Sequence, residues 1–264
     1  MVSRHSVICA LTIHGAPRHS RRTRVPLNRQ TRVTKQLLAC GHLVRHKLDG
    51  YPHRVLTRGK TMTVTDETLA DRQQIREVVE NWVMYRDANR WDAFRSVWHP
   101  EGIMMATWFQ GSFEDFIKVS QDGFARGVRI LHFLGGSTIE VANDRAIAET
   151  KMTISQRAPV HGVVCDVVCT GRFYDFFERR DGQWRLNLRQ PIYEKDRLDP
   201  VSPSAVLELD QEILDSFPEG YRHLAYLQSS IGYEVKRDMP GLVGQELEDL
   251  YARGNRWLFG ELEQ

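Results

Sequence analysis

The sequence lacks several features that would place it in a specialised class of protein. No uninterrupted apolar run approaches the ~18 to 20 residues that cross a bilayer, so we expect no membrane association. Four cysteines are too few for a disulfide scaffold, which favours a reducing, cytoplasmic location. Glycine-rich phosphate loops, the Gly-x-Ser-x-Gly elbow and the His-Glu-x-x-His zinc helix are also missing, and we expect no metal and no cofactor.

Charge is distributed unevenly along the chain. Residues 1–61 contain thirteen Lys or Arg and a single acid, Asp49, whereas the net charge of the whole chain is +2. This segment has no apolar period, so it is predicted to be a basic, disordered tail. An organelle transit peptide is one alternative, although such peptides are richer in Ser. We favour another, in which Met62 is the true start, because Met62-Thr-Val-Thr-Asp66 leads directly into a helix.

The acid-richer remainder shows helical patterns, then strands, then helices again. Apolar residues at helical spacing predict N-terminal helices over 66–89, 91–97 and 112–124. Alternating apolar residues and two turn signals predict strands over 103–109, 138–141, 145–157, 163–179 and 184–190. Helical patterns return after Pro200, over 206–214, 221–228 and 247–259.

This order predicts an α+β fold in which a curved antiparallel sheet wraps around the N-terminal helices. Such a cone-shaped α+β barrel encloses a pocket. We expect three segments: the tail 1–61, a barrel domain 62–199, and a helical C-terminal extension 200–264 that packs on the sheet or on a second subunit. A basic tail attracts nucleic acid by charge, but aromatic residues do not alternate with its arginines, so no nucleic-acid partner is expected.

Three polar residues in this domain are candidates for chemistry. His132 lies in an apolar run that should desolvate its ring and favour the neutral form, so it is either a general base or a core histidine bonded to a backbone carbonyl. Asp87 lies at the edge of the buried stripe of the first helix, where it either faces inward or is solvated. Arg189 alternates with Trp184, Leu186 and Leu188, and is either solvated or directed into a cavity.

Three stretches resemble the SnoaL-like branch of the nuclear transport factor 2-like superfamily, which includes scytalone dehydratase and hexachlorocyclohexane dehydrochlorinase. They are Tyr85-Arg-Asp87-Ala-Asn-Arg-Trp91, His132-Phe-Leu-Gly-Gly136 and Glu178-Arg-Arg-Asp-Gly-Gln-Trp184, within residues 66–197. The resemblance implies that Asp87 and His132 meet in one pocket as a catalytic pair. Asp87 would orient the imidazole, and the ring nitrogen that faces the substrate would remove a proton from carbon.

The resemblance also assigns roles to other residues. Arg189 matches a pocket arginine that would stabilise an anion. Arg157 occupies the place of a second histidine of scytalone dehydratase, and Trp82 that of a lysine of the dehydrochlorinase, so neither substrate transfers to this chain. The expected substrate-binding residues are Trp82, Tyr85, Met104, Trp108, Phe133, Arg157 and Tyr193.

Two classes of function follow from these expectations. The first is a cofactor-independent lyase, of dehydratase or dehydrohalogenase type, or an isomerase that acts on an apolar cyclic small molecule. The alternative is a non-catalytic small-molecule-binding protein or a structural subunit, such as the small subunit of a ring-hydroxylating dioxygenase, since one fold hosts unrelated functions. A homo-oligomer, dimer or trimer, is expected in either case.

Overall fold

The computed structural model describes residues 66–261. The tail 1–61 lies outside these residues, and so does the proposed start at Met62. The first half of the domain contains two helices, a pair of strands and a third helix: α1 (Asp66–Asp87), α2 (Trp91–Arg95), β1 (Trp98–Met105), β2 (Gln110–Ser112) and α3 (Phe113–Ala125). Ser112 caps α3 by accepting a hydrogen bond from the backbone N–H of Asp115 at 3.1 Å.

Four long strands form the second half of the domain, and helices follow them. The strands are β3 (Arg129–Ala142), β4 (Arg145–Val160), β5 (Val163–Arg180) and β6 (Gln183–Pro200). The helices are α4 (Gln211–Asp215), α5 (Arg222–Ser230), which a 3₁₀ turn at Glu219–Tyr221 precedes, and α6 (Gln245–Leu258). None of the helices within residues 66–261 is long and apolar enough to cross a membrane.

The six strands form one sheet in the order β2-β1-β6-β5-β4-β3. Every neighbouring pair is antiparallel except β1 and β6, which run parallel. The predicted α+β class and the helical C-terminal part are confirmed, and the sheet is mixed and open rather than closed into a barrel.

Helices cover both faces of the sheet. Successive residues of β4 point to opposite sides, so Ala146 and Ala148 join the core that α1, α3 and α5 cover, whereas Ile147 joins a second core under α6. Leu250 and Trp257 of α6 supply this second core. The C-terminal helices therefore pack on both sides of the sheet of their own chain.

Two strands begin earlier than the alternating pattern indicated. β3 begins at Arg129, not at residue 138, so His132 is a strand residue opposite Ile154 of β4. β1 begins at Trp98, so His99 is not in a loop: it is buried, and its Nε2 lies 2.9 Å from the carbonyl oxygen of Glu178. Pairing with neighbouring strands extends both elements through residues with weak local strand signals.

A bulge in β6 changes the face on which its side chains lie. Phe176 pairs with Leu188 and Phe177 with Leu186, which leaves Asn187 as the extra residue. Leu186 therefore belongs to the inner core, while Leu188 faces α6 on the other side. The predicted common face of Trp184, Leu186 and Leu188 is wrong for Leu188, because the alternation reverses at the bulge.

Candidate active site

Asp87, at the end of α1, holds His132 of β3 by two hydrogen bonds. The Nδ1 of His132 lies 2.9 Å from Asp87 Oδ1, and the backbone N–H of His132 donates to Asp87 Oδ2 at 2.6 Å. The two side chains are 6% and 13% exposed for His132 and Asp87 respectively. One carboxylate thus fixes both the strand and the ring, which holds the imidazole in a single orientation.

The charge states of this pair follow from its surroundings. Burial lowers the pKa of His132, and the nearby Arg86 and Arg189 lower it further, against the opposing effect of Asp87. Burial raises the pKa of Asp87, but the charge interaction with a protonated His132, the His132 hydrogen bonds and the Arg86 guanidinium outweigh it and hold that pKa below its usual range. Near neutral pH the pair is a carboxylate and a neutral imidazole whose Nδ1 carries the proton.

The remaining ring nitrogen of His132 is free to accept a proton. No group in residues 66–261 forms a hydrogen bond with its Nε2. The rings of Trp82 and Phe173 pack against the imidazole at centroid distances of 5.4 and 5.8 Å. Desolvation therefore comes from α1 and β5, not from the sequence neighbours Leu131 and Phe133, which are exposed.

His132 lines a cavity between the sheet, α1, α3 and α5. Its volume, measured as the space open to the centre of a water-sized sphere, is about 30 Å³. Its wall is mainly apolar and aromatic, as is usual for small-molecule sites. It is lined by Trp82, Arg86, Met104, Ala106, Thr107, Trp108, Phe116, Ile130, His132, Ile154, Phe173, Pro191, Tyr193, Leu224 and Gln228.

The structure places four of the predicted substrate-binding residues in this wall and three outside it. Trp82, Met104, Trp108 and Tyr193 line the cavity. Three expectations need correction: Tyr85, Phe133 and Arg157 do not line it.

Each of these three side chains is directed away from the cavity for a local reason. Phe133 follows His132 in a strand, so it points to the opposite face and is 77% exposed. Arg157 forms a surface ion pair with Asp166 through hydrogen bonds of 2.7 and 2.6 Å. Tyr85 is half-buried beneath the guanidinium of Arg90, 4.9 Å from its ring centroid.

Arg189 faces the core but does not line the cavity, which corrects its expected place as a pocket arginine. Its Nε and Nη2 donate to the two carboxylate oxygens of Asp175 at 2.8 and 2.6 Å, and both side chains are fully buried. The guanidinium packs against Phe173 and Trp82, with its central carbon 3.9 and 4.3 Å from their ring centroids. The bulge at Asn187 produces this inward direction.

Comparison with known proteins agrees with this architecture. Residues 67–190 match the SnoaL-like domain model. Pea pathogenicity protein 2 of Fusarium vanettenii is 37% identical over 207 residues, which cover 74% of this chain and 89% of that protein. The chain belongs to the SnoaL-like family.

Two solved structures are similar to this SnoaL-like protein at lower identity. A putative scytalone dehydratase from Novosphingobium aromaticivorans is 18% identical and covers 55% of this chain and all of its own, with a TM-score of 0.43. A hexachlorocyclohexane dehydrochlorinase from Novosphingobium barchaimii is 13% identical and covers 53% of this chain and 97% of its own, with a TM-score of 0.41.

Sequence patterns missed several residues of the SnoaL-like cavity. Gln228 of α5 accepts a hydrogen bond from the Thr107 hydroxyl at 2.7 Å, and the two close one side of the wall. Leu224, one helical turn earlier, lines the same side. Helix α5 itself was predicted, but its apolar periodicity does not indicate against which part of the domain it packs.

Arg86 was also missed, although it precedes Asp87 in the sequence. Its Nη1 donates to Asp87 Oδ1 at 3.3 Å and to the carbonyl oxygen of Ile130 at 2.8 Å. The side chain is buried, and it lines the cavity. Basic residues near helix ends are usually exposed to solvent, so only the three-dimensional structure reveals that Arg86 points inward.

Proposed function

We propose that the chain is a cofactor-independent lyase or isomerase that acts on an apolar cyclic small molecule. His132 serves as the base that removes a proton from a carbon of the substrate, and Asp87 positions it. The single observation that carries the proposal is the free Nε2 of a desolvated imidazole whose Nδ1 is bonded to a partly buried carboxylate. This arrangement resembles the positioned base of acyl-transfer triads, without a nucleophile.

The reaction requires only proton transfer. When a substrate C–H bond breaks, its proton moves to Nε2 and its electron pair remains on the substrate. In a lyase that pair forms a C=C bond as a leaving group departs with its own electrons. In an isomerase the pair is delocalised until the imidazolium returns the proton to a second carbon. Asp87 stabilises the imidazolium in both cases, because its carboxylate accepts the Nδ1 proton.

The cavity supports an apolar substrate. The rings of Trp82 and Phe173 pack against the imidazole, Trp108 lines the same cavity, and all three present faces or edges on which a substrate ring can pack. The Nε1 of Trp82 is buried without a hydrogen-bond partner, so it offers a donor for one polar atom of the substrate. A polar group without such a partner costs free energy, which a bound substrate would recover.

The proposal is tested by following carbon-bound hydrogen directly. Small cyclic compounds are screened by thermal shift, since a ligand at a hundred times its Kd stabilises by about 2.7 kcal/mol. Each compound that binds is incubated in D₂O, and NMR and mass spectrometry record elimination, isomerisation or exchange of C–H for C–D. We expect at least one binder to react with the wild-type protein.

The matched variant is His132→Asn. Its amide N–H replaces the Nδ1–H donor to Asp87, but no base remains at the position of Nε2. This variant should bind the same compounds and leave every C–H bond intact. Equal exchange by wild type and variant would contradict the assignment of the base, and binders that never react would favour the non-catalytic alternative.

A further inference from the structure

A second, smaller cavity adjoins the first and has a different character. Its volume, measured as the space open to the centre of a water-sized sphere, is about 10 Å³, and it shares Arg86, Trp108 and Ile130 with the cavity that contains His132. The other residues that line it are Trp91, Ser120, Gly123, Phe124, Val128 and Tyr233. Arg86 therefore stands in the wall common to both cavities.

Two residues that line this cavity each carry a buried polar atom with no partner within the described part of the chain, namely Arg86 Nε and Ser120 Oγ. The two residues are 9% and 6% exposed. Each atom is a hydrogen-bond donor, and each unmet donor in a buried place costs free energy. A ligand that accepts hydrogen bonds from both donors would recover this cost.

The charge of the region specifies the chemistry of that atom. Arg86 carries the positive charge, and its bond to Asp87 uses Nη1 only, at the long distance of 3.3 Å. The hydroxyl of Tyr233 is held by Arg126 Nη2 at 3.3 Å, so a second guanidinium lies close by. A buried cation with an unused N–H, in a cavity that is also lined by a serine with an unused hydroxyl, is suited to a carboxylate, which can accept hydrogen bonds from both.

Tyr233 packs closely against α3 and Trp108 in the wall of this cavity. A Cβ on Gly123 of α3 would lie 3.0 Å from the Tyr233 hydroxyl oxygen, so the glycine admits the hydroxyl beside the helix. The Tyr233 ring packs on Trp108 with centroids 5.0 Å apart. Trp108 in turn forms part of the wall between the two cavities.

We propose that this second cavity is a carboxylate subsite, so that the ligand of the protein is a small cyclic carboxylic acid. Its ring occupies the cavity of His132, and its carboxylate receives hydrogen bonds from Arg86 Nε and Ser120 Oγ. As a statement about the substrate, the inference rests on the proposed function. As a statement about binding, it stands on the two unpartnered donors.

The test measures binding alone and uses phenyl-substituted acids as probes. Benzoate, phenylacetate and 3-phenylpropanoate vary the distance between ring and carboxylate, and their primary amides keep the shape without the charge. Titration calorimetry and ligand-observed NMR on the full chain give Kd for each. We expect at least one acid to bind and its amide to bind at least tenfold more weakly. Failure of all three acids, or equal binding of acid and amide, would overturn the subsite.

Ser120→Ala identifies the location of the carboxylate. The variant removes one donor to a charged acceptor, so the Kd of the bound acid should rise about tenfold, while the free protein keeps or gains stability because an unmet hydroxyl is removed. Ser230→Ala is the matched control. The Ser230 hydroxyl donates to the Leu227 carbonyl oxygen at 2.8 Å, and Ser230 lines neither cavity, so this variant should bind the acid with the Kd of the wild type.

The outcomes separate this inference from the proposed reaction. If Ser120→Ala binds the acid as well as wild type does, the two donors serve an ordered water only and the subsite is refuted. If the acids bind as expected but no ring compound ever exchanges C–H for C–D, the subsite stands and the proposed reaction fails. Arg86→Lys keeps the charge and removes Nε, and it should raise the Kd of the acid, as Ser120→Ala does.

Discussion

The backbone N–H and the ring Nδ1 of His132 bond the two carboxylate oxygens of Asp87, at 2.6 and 2.9 Å. The carboxylate therefore ties the end of α1 to the middle of β3 as well as orienting the imidazole. Because Asp87 both stabilises the fold and orients the base, its effects on stability and on reactivity must be measured separately.

Asp87→Asn should destabilise the fold, because an amide offers one acceptor where three N–H donors now converge, including that of Arg86. At least one donor then faces another donor, at a cost of about 1 to 3 kcal/mol. Urea unfolding measures the change in the free energy of unfolding. Asp92→Asn is the control: its carboxylate is fully exposed, so its ion pair with Arg95 should contribute little, and a loss as large as that of Asp87→Asn would refute this explanation.

Much of the helical part of the fold was predictable from the sequence. The apolar stripe of α1 predicted a buried face of Ile75, Val78, Val79, Trp82 and Val83, and all of these are buried except Val78, which is partly buried against the core. Such periodicity reflects burial on one face of a helix, which is a local property. Asp87 lies at the edge of that stripe, so the period alone left its direction open. The resemblance to known family members, not the period, implied its contact with His132.

The positions that sequence patterns missed or left open depend on contacts between distant segments. Leu224 and Gln228 reach the cavity only because α5 docks there. Arg189 faces inward because one extra residue, Asn187, reverses the alternation of β6. A bulge is determined by pairing with the neighbouring strand, and residue types along one strand do not reveal it. The predicted boundaries of the three segments, the catalytic roles and the homo-oligomer stay predictions.

Stability should fall as the pH is lowered below about 6.5, the ordinary pKa of histidine. Because burial lowers the pKa of His132 in the folded protein, the unfolded chain binds more protons in the interval between the two values. The lowered pKa of Asp87 adds a further loss near and below its ordinary value of about 4. The urea concentration at the unfolding midpoint, recorded from pH 4 to 8, measures this dependence of stability on pH, and the slope is its change per pH unit.

His132→Asn removes the histidine contribution to that slope. The fall between pH 6.5 and the folded pKa of His132 should shrink in the variant, since no imidazole remains to be protonated at this position. A variant with the wild-type slope would show that other groups produce the acid sensitivity.

The buried pair Asp175 and Arg189 should behave as a structural unit. Arg189→Met leaves the Asp175 carboxylate buried without a partner, which costs about 3 to 5 kcal/mol. The double variant Asp175→Leu, Arg189→Met replaces both charges with apolar groups and should regain most of that loss. Urea unfolding of the two single variants and the double variant gives the coupling energy. A double variant no more stable than Arg189→Met would contradict this view of the pair.

Gly171 of β5 should tolerate no side chain. A Cβ there would lie 2.0 Å from the carbonyl oxygen of Ile192, the residue before Tyr193 of the cavity wall. Gly171→Ala should therefore destabilise by about 1 to 3 kcal/mol, as overpacking does, and displace Tyr193. Gly136→Ala in β3, where a Cβ meets nothing within 4 Å, is the control and should change stability little. Equal effects in the two variants would contradict the close approach.

The protonation state of His132 tests the central claim most directly. In ¹⁵N-histidine-labelled protein, long-range ¹H–¹⁵N correlation spectra assign the tautomer of each ring, and His132→Asn identifies which signals belong to His132. We predict a neutral ring at pH 7 with the proton on Nδ1, a bare Nε2, and a pKa below 6.5. A ring protonated on Nε2, or a pKa above 6.5, would contradict the assignment of His132 as the base.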